Sequence, residues 1–326
     1  MAENRNAQQV REITDKLEQG LKELFESERF KEYLKTMSKF YNYSFNNTLL
    51  IAMQKPDATL IAGYTAWQRN FDRHVMKGEK GVKILAPAPY KVQEEREKLD
   101  PATQKPVLDK DGKPVTETVE VTRPAFKVVS VFDVSQTDGK ELPDIAVDEL
   151  TGSVENYAAF FDALKELSPV PIAFENITDG AKGYFSHVEN RIAIQEGMSE
   201  IQTIKTSIHE IAHAKHHAAT PGEKVAPEDK KDRRTKEVEA ESVAYTVCQR
   251  YGIETSDYSF GYIAGWSSDK ETKELKGSLE TIRKTAAEMI TGIEEKLKER
   301  LAVKEQEAPT PQRDAAIPNY RAAAKY

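Results

Sequence analysis

Apolar residues recur at helical spacing along the first forty positions. Val10, Ile13, Leu17, Leu21, Leu24 and Phe25 form one stripe, and Phe30, Tyr33, Leu34 and Met37 continue it after a break near Ser27. That spacing predicts helix over 10–41. Ser44 or Asn46 is placed to cap a further helix from Thr48, which Pro56-Asp57 ends. A short helix is expected from Gly63 to Phe71, with Thr65 as candidate cap. Gly78 and Gly81 mark a turn before a strand at Val82–Leu85, and the apolar run from Ala125 to Val134 is a buried strand. Between these strands, residues 91–123 are polar, with Asp111-Gly112 near the middle and alternation from Val115 to Val121. They read as a protruding hairpin or loop insertion.

A linker is expected from 142 to 150, followed by a helix capped by Ser153 with Tyr157, Phe161 and Leu164 on one face. A strand at 171–175 and a hairpin over 184–194, turning near Glu189-Asn190, come next. Two helices, 203–217 and 235–248, flank a charged connection at 220–234. A long amphipathic helix spans 275–301, and the tail over 304–326, with Pro309, Pro311 and Pro318, is expected to be disordered.

Composition narrows the class. The 326 residues suggest two domains, 1–142 and 143–303, and carry 31% charged and 39% hydrophobic residues. A net charge of −7 excludes a molecule that is basic throughout. The single cysteine, Cys248, points to a reducing compartment, which with the charged N-terminus reads as cytoplasmic. No apolar run of about 18 residues is present, so no membrane association is expected.

Two helices carry the chemistry. His209-Glu210-Ile211-Ala212-His213 is an H-E-x-x-H pattern. One helical turn separates the histidines, so both rings project from one face and can share an ion. Zn²⁺ accepts imidazole nitrogen, keeps an open position with three protein ligands, and lowers the pKa of water to about 7. Glu210 is placed to take a proton from that water. Such a five-letter pattern also arises on solvated helix faces, but the flanking isoleucines would bury this helix. The following helix supplies Glu237 and Glu241, four apart on one face. Glutamate-type zinc peptidases use acids at this spacing. Glu237 is assigned as the third ligand. Glu241 is assigned to accept the N–H of a ligand histidine and fix its tautomer.

Between Lys31 and Lys91 ten basic and four acidic residues give a local net charge of +6, interleaved with Tyr41, Tyr43, Phe45, Tyr64 and Trp67. Basic side chains can follow a phosphate backbone and aromatic rings can stack on unpaired bases. Charge runs are usually solvated faces and aromatics usually core.

At several of these places the chain resembles the ArdC-like antirestriction proteins of mobile elements. The N-terminal pieces are Tyr43-Ser44-Phe45-Asn46-Asn47, Thr65-Ala66-Trp67, Lys77-Gly78-Glu79-Lys80-Gly81 and Val131–Thr137. The C-terminal pieces are the edge hairpin, His209–His213 and Glu237-x-x-Ala240-Glu241. The resemblance covers roughly 8–295; the stretch 91–123 is longer than the family pattern. It implies an α+β fold: an N-terminal α+β domain that binds single-stranded DNA, then a zincin-like metallopeptidase domain acting on a protein or peptide. Tyr43, Asn46, Trp67, Lys77, Lys80 and Lys83 are the candidate DNA contacts. Protection of incoming DNA is the function implied. The rivals are a DNA-binding protein with a structural zinc site and a protease dedicated to one repressor.

Overall fold

The computed structural model describes residues 2–101, 103–142, 154–217, 231–253, 255–258 and 260–307. The fold is α+β. Helices α1 (Ala2–Leu24) and α2 (Ser27–Lys39) break at Phe25-Glu26. Helix α3 (Phe45–Gln54) begins three residues earlier than the apolar spacing suggests. Ser44 is extended and its hydroxyl accepts the Asn47 N–H, so Ser44 is the cap and Asn46 lies exposed in the first turn. Strand β1 (Ile61–Gly63) leads into α4 (Tyr64–Phe71), which is capped by extended Gly63 and leaves Thr65 inside the first turn.

Strands β2 (Arg73–Val75), β3 (Val82–Pro87), β4 (Tyr90–Glu97), β5 (Thr116–Arg123), β6 (Phe126–Asp133) and β7 (Thr137–Gly139) follow. β6 is the middle of an antiparallel sheet ordered β1-β6-β3. β2 pairs with β7, and β4 with β5 from Tyr90↔Arg123 to Glu97↔Thr116, so the insertion is a two-stranded hairpin. Phe40, Ile51, Ala58, Ile61, Val82, Ile84 and Val131 form a small core between this sheet and the helices. The edge of β3 is closed by side chains of α3. Asn47 donates to the Leu85 carbonyl and accepts its N–H, each at 2.9 Å, and Gln54 does the same at Lys83. Two amide side chains thus stand in for a neighbouring strand.

The second half contains α5 (Val154–Leu167), β8 (Ile172–Glu175), β9 (Gly183–Ser186), β10 (Arg191–Gln195), α6 (Glu200–His217), α7 (Arg233–Arg250), α8 (Ile263–Ser267) and α9 (Thr272–Glu307). Fully buried Ile192, Ala193 and Ile194 place β10 in the middle of a sheet ordered β8-β10-β9, parallel to β8 and antiparallel to β9. Asn190, at φ +50°, makes the turn into β10; asparagine tolerates this left-handed conformation.

A larger core joins α1–α3 to α5–α9. Phe30 meets Phe260 edge-on at 5.2 Å, and Phe25 meets Trp266 at 5.8 Å. The Tyr41 hydroxyl donates to Glu294 at 3.1 Å, and Arg250 pairs with the same carboxylate at 2.7 Å. The N-terminal helices therefore pack on the half that carries the H-E-x-x-H helix. Cys248 is buried in this core, and burial pushes its thiol up to about 12. Helix α9 runs to Glu307, so positions 304–307 of the expected tail are helical. Residues 308–326 lie outside the described residues, as do the linker from 143 on, Ser153, and the charged connection through 230. Among the described residues no helix is long and apolar enough to cross a membrane.

Candidate metal centre and basic face

Helix α6 buries Ile204, Ile208, Ile211 and Ala212, which fixes its rotation and turns His209 and His213 toward α7 and β9. Their Nε2 atoms lie 3.1 Å apart, and Glu237 Oε2 is 3.6 Å from each. A tetrahedral ion with bonds of ~2.0–2.1 Å sets its ligands about 3.3 Å apart. The observed spacings bracket that value, and all three ligand atoms lie within 4.8 Å of one another. Two imidazoles and a carboxylate suit Zn²⁺ or another first-row divalent ion.

Glu210, 7% exposed, sits beside these ligands. Burial raises its pKa above the usual carboxylate range, against the pull of both histidines, and the Phe185 amide of β9 donates to it. Burial disfavours a charged His209, but Glu237, Glu210 and Glu241 together outweigh it and hold the ring's pKa above its ordinary value. Hydrogen bonds from His209 and His213 hold Glu237 far below the usual carboxylate range.

The position of Glu237 is set by the start of α7. Asp232 caps the helix, accepting the Thr235 N–H at 2.7 Å, and the Trp266 indole donates to the Thr235 hydroxyl at 3.0 Å. Glu239 faces away from Glu237, into the interior. It is completely buried and paired with Lys231 at 2.6 Å, and burial raises its pKa. Glu241 accepts a hydrogen bond from the Tyr262 hydroxyl and acts electrostatically on His209; burial raises its pKa. Tyr184 donates to Glu175 at 2.5 Å and accepts from Arg191 at 3.4 Å. His187 packs edge-on against Phe185 and lines the cleft.

The cleft has a volume of about 440 Å³. Strand β9 forms one wall through Gly183, Tyr184 and Phe185, and the metal ligands form the floor. A Cβ on Gly183 would lie 2.6 Å from Thr206 Cγ2 and 2.9 Å from the Ala193 carbonyl, so only glycine lets β9 lie this close to α6. Two lining residues, Arg233 and Lys236, escaped the sequence reading. Their signal was present: Arg233 lies four positions before Glu237 and three before Lys236, so it neighbours both along the helix.

The basic face is built differently. Trp67 is fully buried and its indole donates to the Phe132 carbonyl at 2.8 Å, so it cannot stack on a base; the aromatic assignment at this position is corrected to core. Tyr64, one turn before it in space, is 60% exposed and edge-on to Phe132. Tyr43 is half-buried against Phe40. Lys77, Lys80 and Lys83 are exposed, and Lys83 donates to the Ser130 hydroxyl at 2.7 Å. The Lys77–Gly81 loop is held by Gln136, which donates to Glu79 and to the Lys80 carbonyl. Gln136 in turn completes a capping box with buried Asp133. Burial opposes ionisation of Asp133, but hydrogen bonds from Ser135, Thr59 and Leu60 overcome it and lower its pKa. A Cβ on Gly81 would meet Ser130 and the Val131 carbonyl at 2.9 and 3.0 Å, which explains the second glycine of the loop.

Residues 4–132 match the model of the N-terminal domain of anti-restriction factor ArdC. An uncharacterized protein of Bacillus anthracis, pXO2-81, is 28% identical over 328 aligned residues, covering 90% of this chain and 52% of the relative. DNA primase TraC of Escherichia coli is 43% identical over 79 residues, covering 24% of this chain and 7% of the primase. The chain thus spans about half the length of the first relative and a small part of the second. Among solved structures, the Mn(II)-bound antirestriction protein ArdC of the R388 plasmid is 20% identical, with a TM-score of 0.49, covering 88% of this chain and 98% of that one. Its metal-free form is 22% identical, with a TM-score of 0.45, covering 80% and 86%.

Proposed function

The chain is an ArdC-like protein with an ArdC N-terminal domain over 4–132, and on that premise we propose a zinc peptidase of a mobile element whose N-terminal half holds single-stranded DNA and which serves to protect incoming DNA. The observation that carries the hydrolytic reading is the convergence of His209, His213 and Glu237 with Glu210 alongside, in an open cleft. A divalent ion on these ligands would polarise a peptide carbonyl and make water acidic near neutral pH.

The chain's own groups do the rest. Glu210 accepts the proton of the attacking water and returns it to the departing amine. Burial raises its pKa, which makes it the stronger base for the first of these transfers. Glu241, with Tyr262, holds negative charge near His209 and favours a firmly oriented ring. An extended substrate adds to the outer edge of β9 at Gly183 and the Phe185 carbonyl. A purely structural zinc site is ordinarily closed by four protein ligands; three described ligands facing a cleft favour hydrolysis.

The DNA reading rests on the basic loop Lys77–Gly81 with Lys83, Asn46, Tyr43 and Tyr64, and the relatives named for DNA priming are consistent with it. A division near 142 then separates the DNA-holding sheet from the hydrolytic half, with α1–α3 packed across both. The lone buried thiol suits a cytoplasmic location. The test is metal analysis of the full chain, with casein and labelled peptides as substrates for the wild type and Glu210→Gln. Absence of bound zinc after expression in zinc, or equal hydrolysis by both proteins, rejects the reading.

A further inference from the structure

We propose that the cleft takes peptides carrying an acidic side chain beside the bond to be cut, and that Arg233 and Lys236 hold this carboxylate; the proposal rests on the peptidase reading above. Both residues line the cleft with the metal ligands. Positions 233, 236 and 237 share one face of α7, so the cations stand next to the third ligand. Arg233 is exposed and Lys236 half-buried, and neither side chain is ion-paired among the described residues. Neighbouring cations are committed elsewhere: Lys231 to Glu239, Lys270 to Asp232, and Arg234 to the Tyr262 carbonyl.

The charge balance points the same way. A divalent ion would be neutralised by Glu237 and Glu210, so Arg233 and Lys236 leave the cleft positive, even with Glu241 counted, in a chain of net charge −7. An acidic group is then favoured in this cleft.

The backbone says that the acidic group belongs to a peptide. The Ile192 N–H is given to the Pro171 carbonyl on the β8 side, and Ile192 stands opposite Phe185 in the β9–β10 register. Phe185 therefore turns its own N–H, which is given to Glu210, and its carbonyl outward, and Gly183, two residues away, leaves its N–H and carbonyl on the same edge. Both line the cleft. An extended peptide can pair with that edge; a phosphodiester chain offers no matching ladder.

The experiment uses zinc-loaded full-length Glu210→Gln, which should bind without cutting. Two fluorescein-labelled extended peptides differing only by a central Asp or Asn are titrated and followed by anisotropy. The Asp peptide should bind about tenfold more tightly, the effect of one charge-assisted contact. The preference should shrink in Arg233→Gln and Lys236→Gln and invert in the double Arg233→Glu, Lys236→Glu variant. Equal affinities, no peptide binding, or a preference that survives charge reversal overturns the proposal. So does displacement of the peptide by a single-stranded oligonucleotide at lower concentration than by unlabelled peptide, which would assign the cations to phosphate. Wild-type protein is assayed for cleavage of the same peptides in parallel. An intact Asp preference without cleavage removes the peptidase reading and leaves the acidic subsite standing.

Discussion

The metal centre and the basic face place their side chains by different means. At the candidate metal centre three of the four key residues lie on α6 at fixed helical offsets and the fourth, Glu237, on α7, and buried isoleucines set the rotation of α6. Helical spacing brings the two histidines and Glu210 together, and the packing of α7 on α6 adds Glu237. On the basic face the loop, α3, α4 and β3 each contribute one or two groups, and whether a ring faces water is settled by tertiary packing. Trp67 and Tyr64 show the contrast: three residues apart on α4, one is fully buried and the other 60% exposed. Chemistry carried by local geometry is robust to context, whereas chemistry carried by exposure is not.

The sharpest way to break this comparison is to remove a ligand. His209→Ala should abolish stoichiometric metal binding, Glu237→Ala should lower it strongly, and Glu241→Ala less, as read by elemental analysis of the purified variants. A Glu241 effect larger than that of Glu237 would exchange their roles. Glu210→Gln should retain the metal and lower peptide hydrolysis by about 10²–10⁴-fold, the usual worth of a general base. Hydrolysis at the wild-type rate would take Glu210 out of the reaction.

How much was legible follows from the same contrast. The H-E-x-x-H pair and Glu237 could be placed from spacing, because a helix repeats every 3.6 residues whatever surrounds it. Alternation over 91–123 left hairpin and surface loop both open, and the paired strands β4 and β5 decide for the hairpin, whereas the central strand β6 was visible in its apolar run. The short strands β1, β2 and β7 were not, since three residues are too few to show a period. The interior position of Glu239 was also hidden. Helix α7 is buried on nearly every side, so an acidic residue on its far face meets protein, with Lys231 brought from outside the helix to pair with it. Likewise nothing in the sequence signals that the Asn47 amide completes the edge of β3 across 38 positions.

Stability measurements separate core from surface on the two sides. Trp67→Ala should cost about 3–5 kcal/mol, the range for a buried aromatic. Tyr64→Ala should leave the chemical-denaturation midpoint nearly unchanged. Lys231→Met should cost about 2–3 kcal/mol, less than for a wholly buried pair because Lys231 is partly exposed. If Tyr64→Ala destabilises as much as Trp67→Ala, Tyr64 is core as well and the stacking role passes to another ring.

The smallest expected effects, and the ones that sharpen the basic face most, concern single-stranded DNA. Tyr64→Ala in the full chain should weaken binding of a labelled oligonucleotide by about 1–3 kcal/mol, the worth of one stacked base. That loss should persist at high salt, because stacking releases no counterions. Lys77→Ala and Lys80→Ala should behave oppositely. Each exposed lysine that neutralises a phosphate contributes about 0.7 to the slope of log affinity against log salt on a single strand. Removing one should flatten the slope by that amount, and the affinity difference from wild type should shrink as salt rises. Lys83, which already donates to Ser130, should contribute less than either. Anisotropy titrations at two salt concentrations, with single- and double-stranded oligonucleotides, read all four variants together. Unchanged slopes in Lys77→Ala and Lys80→Ala would leave the loop as a solvated surface held in place by Gln136. A Tyr64→Ala loss equal for both DNA forms would mean that its ring touches the backbone rather than an unpaired base.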